Sequence, residues 1–139
     1  MEQRDYLLRQ IELMTQALVT LIRRLLGLKD IIEDEVEQIT NETLSEYLDM
    51  SINQIMNTRA EELAEMMIQK NGINRSNLDL FAEILVINAK AGKSRENQLS
   101  LLERALKLYQ WIDNTGNTFS MERQQKMNEI QVLIENLKN

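Results

Sequence analysis

Not one proline interrupts the 139 residues of this chain. Proline removes a backbone donor and clashes with the preceding turn, so without it a helix runs until glycine or a polar cap stops it. Apolar residues recur at spacings of three and four over most of the chain, the period of a helix with one buried face. Leu7, Ile11, Met14, Leu18, Leu21, Ile22 and Leu25 share such a face on a helix expected over residues 3–26. Leu8, Val19 and Leu26 widen it on one side, and Leu13 and Ala17 on the other, leaving Glu12, Gln16, Thr20 and Arg23 a narrow polar remainder. An ordinary surface helix buries a narrower stripe. This helix is therefore either central to its own domain or paired with another chain, and Gly27 ends or kinks it.

A second helix is expected from a cap at Asp30, with Ile31, Ile32, Val36 and Ile39 on its apolar side. It restarts or continues at Asn41 through Leu44, Tyr47 and Leu48, and Asp49-Met50-Ser51 reads as a junction. Ser51 with Gln54, and Thr58 with Glu61, have capping-box spacing. They place a short helix near 52–57 and another over 59–70, where Gly72 suits a left-handed C-terminal cap. Further on, one helix spans 76–91 and closes at Gly92. The next follows Ser94, carries Leu99, Leu102, Leu106 and Tyr109 on one face, and ends near Asn114. Ser120 caps the last, over 121–137, with Met127, Ile130, Leu133, Ile134 and Leu137 facing inward. The expected fold is all-α, about six helices in one domain over 1–139, with residues 1–72 forming the N-terminal helices and 73–139 a hairpin plus a final helix.

Composition narrows the chemistry. The chain has no histidine and no cysteine, so the usual neutral-pH base, disulfides and thiolate zinc sites are all excluded. Hydrophobic residues make up 43% and charged ones 27%, enough for a core and a solvated surface. The charged start leads straight into the helical pattern, without the basic, apolar and small-residue order of a signal peptide. The most apolar stretch, 17–28, is short of a membrane span and holds Arg23 and Arg24. The expected location is cytoplasmic. Of the net charge of −6, residues 1–70 carry −7 and residues 71–139 carry +1. Clustered lysine and arginine are lacking, which argues against nucleic acid as a partner. The acidic half either steers basic proteins or serves as a solvated face.

Two resemblances bear on the fold. Residues 76–114 resemble a tetratricopeptide repeat when Ala105 is set at the small position late in its second helix. Leu102 then takes the preceding large position and Leu85 the leucine of the first helix. Val86, Ala89, Gln98 and Gln110 depart from the pattern. The whole chain also resembles a family of small all-helical bacterial proteins of uncharacterised function. The carriers are residues 4–12, Leu25-Leu26-Gly27-Leu28-Lys29, Leu102-Glu103-Arg104-Ala105-Leu106, and 118–123. These resemblances imply a TPR-like stack in the C-terminal half and a bacterial source. They imply no activity.

Candidate sites are few. Gly92-Lys93-Ser94 looks like the end of a phosphate-binding loop, but Ile87 stands where the motif needs glycine, and a helix stop followed by a start explains all three residues. Glu33/Glu37 and Glu61/Glu65 are carboxylate pairs one turn apart, without the histidine that helical di-iron sites use. Met66-Met67 fits either a plastic groove or core filling. Trp111 lies off the Leu102/Leu106 stripe, where it either anchors an interface or packs under the last helix against Phe119 or Met121. No catalytic, cofactor or metal residue is assigned. The expected function is a non-catalytic interaction module or adaptor, and the alternative is a homo-oligomer joined through the first helix. Leu7, Ile11, Leu18, Leu25 and Trp111 are the candidate interface. Membrane binding by that helix is disfavoured, because its polar face carries Glu12 as well as Arg9 and Arg23.

Overall fold

The computed structural model describes residues 2–139, and its described residues form seven α-helices and two 3-10 turns. Helix α1 spans Glu2–Leu26, α2 Glu33–Tyr47, α3 Ile52–Met56, α4 Leu63–Gln69, α5 Leu78–Ala91, α6 Arg95–Thr115 and α7 Met121–Lys138. The 3-10 turns cover Ala60–Glu62 and Arg75–Asn77. The fold is all-α, as the periodicity requires.

Local chemistry sets most of the boundaries. Ser51 and Gln54 form a reciprocal capping box at the start of α3, with bonds of 3.2 and 3.0 Å. Ser94 and Ser120 accept the N–H groups of Asn97 and Arg123 at the starts of α6 and α7. After α4 the chain turns through Gly72 at φ 74°, and the Ile73 N–H returns to the Met67 carbonyl at 3.1 Å. That is the glycine-closed helix end expected there.

Three boundaries differ from expectation. Asp30 does not cap α2. The helix starts at Glu33 behind Ile32, and its first turn carries Glu33, Asp34 and Glu35, which favour a helix N-terminus by charge. Thr58 is not a cap either. Its hydroxyl donates backwards to the Gln54 carbonyl at 2.8 Å, so 59–70 divides into a 3-10 turn and the shorter α4. Ser76 likewise lies inside a 3-10 turn capped by Asn74, and α5 begins at Leu78.

Helix α5, not α1, is central. Leu78, Phe81, Ala82, Ile84, Leu85 and Ala89 are buried on it, and it packs against α1, α2 and α6. A buried polar link fixes its register on α2, where the Asn88 amide donates to Thr40 Oγ1 and to the Ile84 carbonyl, each at 3.0 Å. The buried face of α6 is Leu101, Leu102, Ala105, Leu108 and Tyr109; it includes Leu102 and Tyr109 of the expected face, whereas Leu99 and Leu106 are only half-buried. Helix α6 must meet α4, α5 and α7 at once, so no single stripe describes it. Helix α7 lies on α6 and buries only Ile130 fully, with Met127, Leu133, Ile134 and Leu137 half-covered. Met67 is buried and Met66 half-buried against the same core, which is the filling role.

Candidate interaction surface

The 25 residues of α1 extend about 37 Å, while α2 and α5, which support it, have 15 and 14. The mismatch falls at the N-terminal end. Leu18, Leu21, Ile22 and Leu25 are buried in the core. Above them the Thr15 hydroxyl lies 2.7 Å from Asn77 Oδ1, and Met14 packs against the edge of the core. Residues 3–10 are exposed without exception, so about two turns of α1 stand clear of the body.

This overhang is apolar where it should be polar. Tyr6, Leu7, Leu8 and Leu13 are 62%, 60%, 49% and 48% exposed, and Ile11 and Met14 are half-buried at its base. Beside it a groove of about 310 Å3 is lined by Leu7, Ile11, Met14, Tyr47 and the Gly72–Asn74 turn. The candidate interface on α1 therefore divides. Leu7 and Ile11 lie at the open surface. Leu18 and Leu25 are corrected to core positions, because α2 and α5 reach their level. A Leu18→Asp substitution would bury an unpaired carboxylate and report on folding, not on assembly.

Trp111 belongs to the same end of the molecule. The 3-10 turn at 75–77 reaches both sites, Asn77 towards Thr15 and Arg75 towards Trp111. The Arg75 guanidinium lies 5.1 Å from the centre of the indole ring, and its Nη2 donates to the Ile112 carbonyl at 3.2 Å. Gly116 permits this arrangement, because a Cβ there would lie 2.9 Å from Arg75 Nη2 and from the Ile112 carbonyl. Trp111 is half-buried under its own chain's arginine, while Phe119 and Met121 are 72% and 69% exposed.

The remaining candidates have structural roles. Gly92 closes α5, Ser94 opens α6, and the Lys93 N–H donates to Glu33 Oε2 at 2.7 Å, so the amide a phosphate would need is taken. Glu33 is thereby separated in role from Glu37, and Glu61 pairs weakly with Arg59 at 3.9 Å. A cavity of about 160 Å3 between α5, α6 and α7 is walled by Val86, Ile87, Tyr109 and Leu133 and edged by a Lys126–Glu83 contact at 3.6 Å. It falls below the size of ordinary ligand sites. Tyr109 is buried at its wall. Burial first, and then the carboxylates of Glu83, Asp79 and Glu122, push its phenol well above the usual tyrosine range, against a smaller opposing effect of Arg123. The phenol therefore stays protonated at neutral pH and is a poor base there.

One residue of consequence carried no sequence signal. Arg104 of α6 reaches across to the turn after α3 and donates to the carbonyls of Ile55, Met56 and Thr58 at 2.7–3.1 Å. It also holds Ser100 within its own helix. Among the described residues, no helix is long and apolar enough to cross a membrane. Comparison of the chain with family models, curated proteins and solved structures found no match.

Proposed function

We propose that this chain is a non-catalytic protein-interaction module and that the N-terminal overhang of α1 is its docking surface. One observation carries the reading: eight consecutive exposed residues on a continuous helix, holding Tyr6, Leu7 and Leu8 without a covering element. Two unsupported turns at the end of a helix gain only the small propagation free energy of each added residue, with no packing to hold them. An overhang of this length gains from a partner that covers it, and the partner gains apolar anchors already ordered by the body below. Recognition is then helix against helix, with leucines as anchors and the groove beside Tyr47 receiving the partner's end.

The test compares the wild-type chain with a Leu7→Asp/Leu8→Asp variant. Both positions are exposed, so the variant keeps its melting temperature. The expected result is a protein held stoichiometrically by the wild type and released by the variant, whether it is another protein or a differently tagged copy of this chain. Equal retention by the two proteins refutes the docking surface.

A further inference from the structure

The cavity between α5, α6 and α7 is too small for an ordinary ligand, yet it is large for a gap in a packed interior. Its volume, about 160 Å3, matches that in which an apolar pocket takes up a single six-membered ring. Helix α5 supplies Val86 and Ile87 to its walls, and α7 supplies Ile130 and Leu133, so its middle is aliphatic.

Tyr109 of α6 adds a polar group to this lining. The residue is 1% exposed, and its hydroxyl makes one hydrogen bond among the described residues, to the Asp79 carbonyl at 3.5 Å. That separation is the far limit for a hydroxyl donor. Asp79 lies one turn before Glu83 on α5, and Glu83 lines the cavity, so the hydroxyl stands at the Glu83 end. A buried donor so poorly met costs free energy until a better acceptor reaches it. Water serves it badly, because a buried water needs two to four polar partners and the cavity offers mostly aliphatic side chains.

The rim sets the charge of what can enter. Glu83 and Lys126 lie 3.6 Å apart, and the exposed Lys90 and Glu129 add one charge of each sign. The lining therefore carries no net charge, and an ion would leave water without an unpaired counter-charge to repay it.

We propose that this cavity binds a small uncharged molecule, one ring or branched alkyl group carrying a single hydrogen-bond acceptor, to which the Tyr109 hydroxyl donates. The ring lies among Val86, Ile87, Ile130 and Leu133, and the acceptor points to the Glu83 end. The site shares no residue with the α1 overhang, so it is independent of what docks there.

Cyclohexanone and methylenecyclohexane test this, because they share a shape and only the first carries an acceptor. Methyl NMR of the full chain follows Val86, Ile87, Ile130 and Leu133 during titration to ~20 mM cyclohexanone, with a dissociation constant on the order of 1 mM expected. Methylenecyclohexane is added to saturation in parallel. Tyr109→Phe keeps the ring and removes the donor; it weakens cyclohexanone roughly tenfold and leaves methylenecyclohexane within about twofold. Val86→Phe fills the cavity and abolishes binding of both, and Ile87→Phe replaces it as the filled variant if Val86→Phe melts below wild type. Absence of shifts at the four residues overturns the proposal, whether the cavity is empty or holds ordered water only. So does cyclohexanone binding that Tyr109→Phe leaves unchanged, or that survives in the filled variant. Equal loss of both probes in Tyr109→Phe overturns it too, because the phenol then only supports the wall.

Discussion

Replacing Arg104 with methionine removes the charged head while keeping an unbranched stem in place. The head bridges α6 to the turn that follows α3, with Nε 2.8 Å from the Ile55 carbonyl and Nη2 2.8 and 2.7 Å from those of Met56 and Thr58. The Ile55 carbonyl also accepts the Thr58 N–H at 3.1 Å, so it keeps a partner after the substitution. The carbonyls of Met56 and Thr58 lose their charged donor. Hydrogen bonds to charged groups contribute about 1.5–3 kcal/mol each when well enclosed. Arg104 is half-buried and water reaches part of the site, so about 1 kcal/mol for each of the two carbonyls is the appropriate scale. Detachment of the turn adds a little, for a loss of about 2–3 kcal/mol. At this chain length that lowers the melting temperature by about 8–10 °C. Urea denaturation should show a lower midpoint and an unchanged slope, and native-state hydrogen exchange should accelerate first over residues 52–58. Arg104→Lys should recover less than half of the loss, because one ammonium cannot serve three carbonyls in the plane of a guanidinium fork. A methionine variant melting within about 2 °C of wild type, or a lysine variant equal to it, would refute the latch.

Asp49, at φ 51°, holds a left-handed position at the end of α2, where the Met50 N–H returns to the Leu44 carbonyl at 3.3 Å; Asp49→Gly should raise stability by about 0.5–1 kcal/mol in thermal melts. Gly72 is the converse case: a Cβ there meets nothing within 4 Å, so Gly72→Ala should cost about 1 kcal/mol through backbone conformation alone, with no change in the packing seen by NMR. Tyr109 holds its proton more tightly folded than unfolded, so its contribution to stability is whole below the ordinary tyrosine value of 10.0 and is lost as pH rises through the higher folded value. In a Tyr6→Phe/Tyr47→Phe background, phenolate absorbance should therefore appear only with unfolding, whereas ionisation at pH 10 in the folded chain would contradict the burial.

Helix ends were legible wherever the signal was local. Ser51 with Gln54, Gly72, Ser94 and Ser120 act within four residues of their own backbone, and each performs the role its type and spacing imply. Asp49 reads as the start of a junction, which the structure has, but not as its left-handed residue, because aspartate in that conformation is tolerated without being typical. Arg104 escaped for a different reason. Its acceptors are backbone carbonyls 46–49 residues away, and a carbonyl has no residue type to read. Thr58 shows the opposite error, in which a hydroxyl with capping-box spacing donates to the preceding turn instead of capping a helix.

Helix α1 shows best where sequence pattern and structure part. Leu7 and Leu18 lie on the same face, in the same repeat, with the same side chain, and nothing within the helix distinguishes them. One is open and the other buried because α2 and α5 are 15 and 14 residues long and α1 is 25. Periodicity states which face of a helix wants covering, whereas the lengths of its neighbours state how much of that face they cover. The remainder, two turns carrying leucine in phase with the core, is therefore a quantity that could be read from element lengths before any contact was known. A chain with a shorter α1, beginning near Met14, would keep every fully buried residue of this core. The extra turns contribute nothing to that core, and this is why their leucines are best explained by a surface outside it.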